Sequence, residues 1–372
     1  MKVALIVFSD PEGHPGYWPG MERLSECIIK TFTSLGVEIT LITSNRYKDL
    51  RTKNKISLKC SQFGLFAHNI NSFSRRLNEI DLSKFEIIQV IGSSINLKLI
   101  SDNSFTNKMV SYFAHFDVYT NWRDYFFLYH IKKIEKLMYG RSKAIILGVP
   151  KNSVEEMEFF NTIKIENKII INSPEGVIFQ EYNGKSKQNS KIIKILYVGP
   201  LTPRKGVSIL INSFESLSSR MNNLELSIVG SGYLRNKLEK LSKSKNLEDK
   251  IKFYGYISDF ELKKVFLKHD IFAFPSLKEG YPLAPIEAMA SGLPVVSFNL
   301  SSLIDIVGDT GFVANLEDQF SFTQSLEKAI NCDFHHLGEM ARLRIGKFFD
   351  WNYIISNYYL PLYQGIVKTN IK

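Results

Sequence analysis

Short, continuous apolar runs recur along this chain with amphipathic stretches between them, and that alternation admits few folds. In the first half the runs are VALIVFS (residues 3–9), EITLIT (38–43), FEIIQVIG (85–92), MVSYFAHF (109–116) and AIILGV (144–149). Helical patterns lie over residues 21–35 and, rich in aromatics, over 122–143. Strands that are apolar on both sides must be covered on both sides, so the pattern predicts a parallel sheet between helix layers. The second half repeats the theme with KIIKILYVG (191–199), LELSIVGSG (224–232), IKFYGYI (251–257) and DIFAFP (270–275). A chain of 372 residues is too long for one ordinary core and suits two Rossmann-like domains. The polar stretch YNGKSKQNSK (182–191) lacks core residues and reads as the linker, giving domains at 1–182 and 183–350.

Composition excludes several classes. With 44% hydrophobic and 23% charged residues the chain is an ordinary globular one rather than a disordered one. Cys27, Cys60 and Cys332 are scattered without disulfide or zinc spacing, which fits a reducing cytosol. The opening MKVALIVFSDPEG has too short an apolar run for a signal peptide, and no run is long enough to span a bilayer. The formal net charge of +10 is spread over both halves: residues 1–180 hold 23 basic against 18 acidic residues. The densest cluster is Arg46, Lys48, Arg51, Lys53, Lys55 and Lys59, opposed by Asp49. The aromatic, basic stretch 122–143 suits either an anionic lipid surface or plain packing on its sheet. No nucleic-acid motif accompanies the charge, so nucleic acid is not the expected partner.

The chemistry concentrates in residues 274–298, FPSLKEGYPLAPIEAMASGLPVVSF. A buried strand ends at Pro275, and Gly280, Pro282 and Pro285 punctuate the turn into a helix expected over residues 284–290. Gly292 and Pro294 end that helix before the next apolar run. The unit is a βαβ crossover, whose ligands sit at the carboxyl ends of strands. Amides opening towards a helix start suit phosphate oxygens, and the carboxylates Glu279 and Glu287 suit hydroxyls. Lys205 follows a strand and precedes a helix, a position suited to neutralising phosphate.

Glu279 and Glu287 enclose seven residues, and Ala288-Met289-Ala290-Ser291-Gly292-Leu293-Pro294-Val295-Val296 follows. This resembles the E-x7-E signature of retaining GT-B glycosyltransferases of the family 4 type. The resemblance implies an α/β GT-B fold, two Rossmann-like domains with parallel sheets facing a central cleft. It also implies that the last helix, 351–367, returns to brace the first domain. By the same resemblance Glu279 lies beside the donor hexose and Glu287 holds ribose hydroxyls. The backbone of Gly280, Tyr281, Pro282, Leu283 and Ala284 then contacts the diphosphate. His115, ending the strand MVSYFAHF, matches a family histidine near the donor sugar, and Gly20 matches a glycine facing the diphosphate, with Pro19 in place of the preceding one. Lys205 matches the family lysine on the diphosphate. Pro200 stands where the family has an arginine, so Arg204 is the cation expected to reach in. Tyr256 and Ile257 match the neighbourhood of the nucleobase. In the stretch INSPEGVIFQEYNG (171–184), Glu175 and Ile178 depart from the family's pattern, and only the turn at Gly176 carries over.

The implied activity is transfer of a hexose from a nucleoside diphosphate sugar, UDP- or GDP-linked, to a hydroxyl with retained anomeric configuration. The absence of any Asp-x-Asp removes the usual metal ligand of the other major glycosyltransferase fold, so neither a metal nor another cofactor is expected. The expected acceptor is an anionic or lipid-linked glycan, as in cell-surface polysaccharide assembly. The expected location is the cytoplasm, with peripheral contact to an anionic membrane surface. Two alternatives stay open at this stage, a nucleotide-sugar 2-epimerase of similar fold and a non-catalytic glycan- or nucleotide-binding relative.

Overall fold

The structure is a computed structural model that describes residues 1–7, 19–44, 54–58, 73, 75–91, 109–112, 145–148, 170–172, 175–182 and 191–370. His115, the helical stretch 122–143 and, within the basic cluster, Arg46, Lys48, Arg51, Lys53 and Lys59 lie outside these residues. The chain divides into two units, Met1–Glu175 with Trp351–Lys372, and Gly176–Asp350.

The first unit holds a parallel sheet of β1 (Lys2–Val7), β2 (Glu38–Ser44), β3 (Lys55–Leu58), β4 (Ile87–Ile91), β5 (Met109–Tyr112), β6 (Ile145–Gly148) and β7 (Ile170–Asn172). Their order is β3-β2-β1-β4-β5-β6-β7. β1 is central, with Leu5 opposite Leu41 on one side and Gln89 on the other. Val3, Ala4, Leu5, Ile6 and Val7 are all buried, as a strand covered on both faces requires. Helix α1 (Pro19–Ser34) supplies Phe32, whose ring stacks on Tyr363 at 5.4 Å and meets Tyr359 edge-on at 6.1 Å. Those tyrosines belong to the C-terminal stretch, so residues after 350 share the core of this unit. The strand expected over 85–92 starts at Ile87 in the structure, and the described part of the one expected over 109–116 is β5, residues 109–112.

The second unit opens with a short turn of helix, Phe179–Tyr182, then β8 (Ile193–Val198), a 3₁₀ turn Pro203–Lys205 and α2 (Val207–Ser218). Next come β9 (Leu224–Val229), α3 (Arg235–Ser244), β10 (Ile251–Gly255), α4 (Asp259–Phe266), β11 (Ile271–Phe274) and α5 (Leu283–Ala290). β12 (Val295–Phe298), α6 (Ser301–Val307), β13 (Phe312–Ala314), α7 (Gln319–Asn331) and α8 (Phe334–Phe348) complete it. The helices with the clearest stops and starts carry the expected chemistry. Ser258 and Glu261 form a reciprocal capping box on α4, and Asp318 caps α7 through the Ser321 amide.

All six strands run parallel in the order β10-β9-β8-β11-β12-β13. The order reverses between β8 and β11, so a crevice opens between their carboxyl ends, the place where such sheets bind ligands. Beneath that point the rings of Tyr197, Phe274 and Phe272 stack, with centroids 6.3 and 5.9 Å apart. All three are fully buried.

The boundary between the units falls at 175/176 rather than at the expected 182/183. The cause is local: the Val177 amide donates to the Phe349 carbonyl at 2.9 Å, and Val177 bridges Asp350 in parallel. Tyr182, expected to begin a solvated linker, is buried in the second unit. An aromatic ring with a phenol can satisfy both an apolar core and a polar partner, which a reading of the surrounding polar residues did not anticipate.

Candidate functional site

The loops that follow β8 and β11 are laced together by backbone. The Leu277 amide donates to the Arg204 carbonyl at 2.8 Å. Gly206, between the 3₁₀ turn and α2, sits at φ 63°, and a Cβ there would lie 2.1 Å from the Pro275 carbonyl oxygen. Only glycine permits both the left-handed conformation and that approach. The turn Pro203–Lys205 is thereby pressed against the loop that carries Glu279.

This contact assembles a charged cluster at the switch point. Lys205 Nζ and Ser276 Oγ both donate to Glu279 Oε1, while Arg204 Nη1 lies 3.4 Å from Oε2. The same guanidinium nitrogen donates to the Lys278 carbonyl at 2.6 Å, which fixes its direction. Lys205 and Glu279 side chains are only 9% and 7% exposed, so the pair is held away from water. The Lys205 ammonium also sits 5.0 Å over the Phe274 ring. Burial draws the Lys205 pKa below its ordinary value, and the Glu279 carboxylate pulls it part of the way back. Under the cluster, burial pushes the Tyr197 phenol well above its ordinary pKa, and the charge of Glu279 adds to that. Tyr197 therefore stays protonated and donates to the Pro200 carbonyl at 3.1 Å, holding the start of the loop.

Glu287 lies inside α5 and is buried to 3% exposure. A charged residue in the middle of an otherwise apolar helix, LAPIEAMA, demands polar partners, and the Tyr182 phenol donates to its Oε1 at 3.1 Å. Helix α5 has Pro282 at its N-cap and no side-chain cap, so the amides beginning at Leu283 keep their capacity for an acceptor. Tyr281 is buried, its ring 6.5 Å from that of Phe349. The arrangement offers cations and helix-start amides to an anion beside carboxylates that accept from hydroxyls.

The expected residues among those described fall into four groups. Arg204, Lys205 and Glu279 are brought into contact; Gly280, Tyr281, Pro282, Leu283, Ala284 and Glu287 continue from Glu279 into α5. Tyr256 and Ile257 stand at the carboxyl end of the edge strand β10, two strands from β8, and Tyr256 is 77% exposed. Gly20 lies in the first turn of α1 in the other unit. Ser276, Tyr197 and Tyr182 were not anticipated. Ser276 stands three residues before Glu279, a Ser-x-x-Glu spacing that pairs such side chains, whereas Tyr182 reaches Glu287 from 105 residues away with no local signal. Among the described residues, no group of three or more His, Cys, Asp or Glu side chains could hold a metal ion.

The chain is similar to known proteins in both sequence and fold. Residues 178–344 match the family described as Glycosyl transferases group 1, so the second unit carries a domain of that kind. The chain is 28% identical over 231 residues to the capsular polysaccharide biosynthesis glycosyltransferase CapM of Staphylococcus aureus, covering 56% of each. It spans about half the length of the first curated relatives it matches. In structure it is similar to sucrose-phosphate synthase from Thermosynechococcus elongatus, with a TM-score of 0.78, 18% identity and 99% of both chains covered. It is likewise similar to Anabaena HepE in complex with UDP-glucose, with a TM-score of 0.71, 16% identity and 99% of both chains covered. At such identities the likeness is one of fold: two Rossmann-like parallel sheets, the GT-B architecture.

Proposed function

We propose that this chain is a retaining glycosyltransferase of the family 4 type that moves a hexose from a nucleoside diphosphate sugar to a hydroxyl of a glycan or lipid-linked acceptor. The observation that carries this is the meeting of Arg204 and Lys205 with Glu279 at the switch point, one helix start away from the buried Glu287. Cleaving a glycosyl phosphate bond leaves negative charge on the diphosphate and oxocarbenium character on the sugar carbon. Lys205, Arg204 and the amides of Gly280, Tyr281, Leu283 and Ala284 take up the leaving charge. Glu279 orients the hexose, a role the resemblance also gives His115, and Glu287 accepts from the ribose. Because fixed cations and amides carry the diphosphate charge, the chemistry needs no metal, and a chelator leaves turnover unchanged.

The donor is a UDP- or GDP-hexose. The resemblance to CapM supports a role in polysaccharide assembly. The cluster Arg46 to Lys59 supports an anionic or lipid-linked acceptor at the cytoplasmic face of a membrane. No helix among the described residues is long and apolar enough to cross a membrane, so contact of that kind is peripheral in this proposal. Turnover of UDP- and GDP-hexoses with and without glycan acceptors, with the anomer of the product read by NMR, tests it. A product of inverted configuration refutes retention, acceptor-free release of the nucleotide with epimerised sugar assigns the chain to the epimerases, and binding without turnover assigns it to a non-catalytic relative.

A further inference from the structure

We infer that Tyr182 is a positioning residue that aims Glu287 at the ribose of the donor, an inference that rests on Glu287 being the ribose acceptor. The two residues are 105 positions apart, and the Tyr182 phenol donates to Glu287 Oε1 at 3.1 Å in a buried setting. An ionised carboxylate has about four acceptor positions. A phenol fixed on one of them sets the plane of the group and the direction in which the others face.

The donor is itself held on three sides. Arg342, from α8, donates through one guanidinium nitrogen to the Tyr182 carbonyl and to the Ala290 carbonyl at the end of α5. One cation thus ties the segment bearing Tyr182 to the helix bearing Glu287. The Arg342 guanidinium also lies 4.4 Å over the Phe179 ring. On the other flank Lys263 pairs with Glu181 and places its ammonium 5.2 Å from the Tyr182 ring centroid. Upstream, Val177 is hydrogen-bonded to Phe349. With its carbonyl, its ring and the preceding residue Glu181 all engaged, Tyr182 is held in one orientation, and its hydroxyl is held with it. Phenylalanine would fill the same volume, so the hydroxyl is the part of this residue that acts on Glu287.

The chemistry predicts a selective effect. Without the hydroxyl, Glu287 loses a donor that orients it, so ligands that use the ribose suffer and ligands without ribose do not. The experiment is isothermal titration of wild type, Tyr182→Phe, Glu287→Gln and the double variant. The probes are UDP, GDP, their 2′,3′-dideoxy forms and inorganic pyrophosphate, with thermal midpoints as the folding check. In the wild type the ribonucleotide binds more tightly than its dideoxy form. Tyr182→Phe weakens the ribonucleotide about tenfold, the size of one hydrogen bond to a charged group, and leaves the dideoxy form and pyrophosphate unchanged. In the Glu287→Gln background Tyr182→Phe has no further effect, because the two act as one unit. A Tyr182→Phe protein with the full ribose preference overturns the inference, and so does one that loses all probes equally, which marks a structural role alone. A wild type without ribose preference overturns the assignment of Glu287 itself, and the role of Tyr182 with it.

Discussion

Replacing Glu279 by Gln separates what the carboxylate does for the resting protein from what it does for the reaction. Glu279 accepts from Lys205 and Ser276 and lies 3.4 Å from Arg204 Nη1. The amide keeps the size and one acceptor oxygen but removes the charge. The Lys205 side chain is only 9% exposed, so it becomes a buried cation whose counter-charge is gone. Breaking a buried pair from one side costs about 3 kcal/mol. At roughly 2–4 °C per kcal/mol for a unit of this size, the thermal midpoint falls by about 10 °C. A diphosphate then supplies the missing charge without competing for it. Pyrophosphate should bind the variant about tenfold more tightly than the wild type, or about 1.4 kcal/mol, and stabilise it more at the same concentration. Hexose transfer is lost at the same time, because the sugar has no carboxylate beside it. Calorimetric titration with pyrophosphate, thermal scans with and without it, and a transfer assay read the three effects. Equal or weaker pyrophosphate binding in the variant would mean that Glu279 does not occupy the place of an anion on these cations, and the reasoning fails.

Other perturbations probe the same loops. Pro200 leaves Arg204 as the second cation, so Arg204→Ala weakens nucleoside diphosphate binding at least about tenfold, and Pro200→Arg in that background restores part of it; titration with UDP and GDP reads both. Burial lowers the Lys205 pKa from 10.5, so diphosphate affinity declines on the alkaline side earlier than an ordinary lysine would dictate, and Lys205→Arg moves that decline to higher pH in a binding titration. The stability sign follows from the same shift: between the lowered folded value and 10.5 the unfolded chain binds more protons, so ligand-free stability attributable to Lys205 rises with pH through that window. Gly206→Ala forces a Cβ to within 2.1 Å of the Pro275 oxygen at φ 63°, and costs more than about 2 kcal/mol in denaturant unfolding.

What the sequence discloses here depends on how local each constraint is. The strand and helix alternation depends on neighbours along the chain, so the two parallel sheets are readable, although a strand end such as the start of β4 shortens where the run has not yet joined the ladder. Glu279 and Glu287 are readable because one contiguous stretch holds both, with the turn and helix between them. Lys205 is readable from its place after β8. Arg204 is a different case: Pro200 at the expected cation position indicates a deficit, but only the folded loop reveals that Arg204 meets the same carboxylate as Lys205. Tyr182 and Arg342 are not readable at all, since each is defined by partners in other elements. Tyr182 also sits at the edge of a polar run that resembles a linker, and a single buried phenol does not alter such a pattern.

The two carboxylates of the site are both buried, and each accepts from a hydroxyl, Ser276 for Glu279 and Tyr182 for Glu287. Glu279 is matched by two cations and a hydroxyl, Glu287 by the neutral phenol of Tyr182 among its partners. A carboxylate matched by cations leaves those cations able to exchange it for another anion, because phosphate oxygens present the same charge and acceptors. A carboxylate accepting from one hydroxyl has further acceptor positions, and hydroxyls are the donors a sugar offers. The first arrangement therefore suits the end of a ligand where a diphosphate departs and a hexose must be freed. The second suits the end where a ribose must be held without moving. Eight positions separate the two residues, with the turn after β11 and the start of α5 between them. In the proposed reading that short stretch sets an anion-exchanging group and a hydroxyl-holding group at fixed spacing, as binding one nucleotide sugar across both would require.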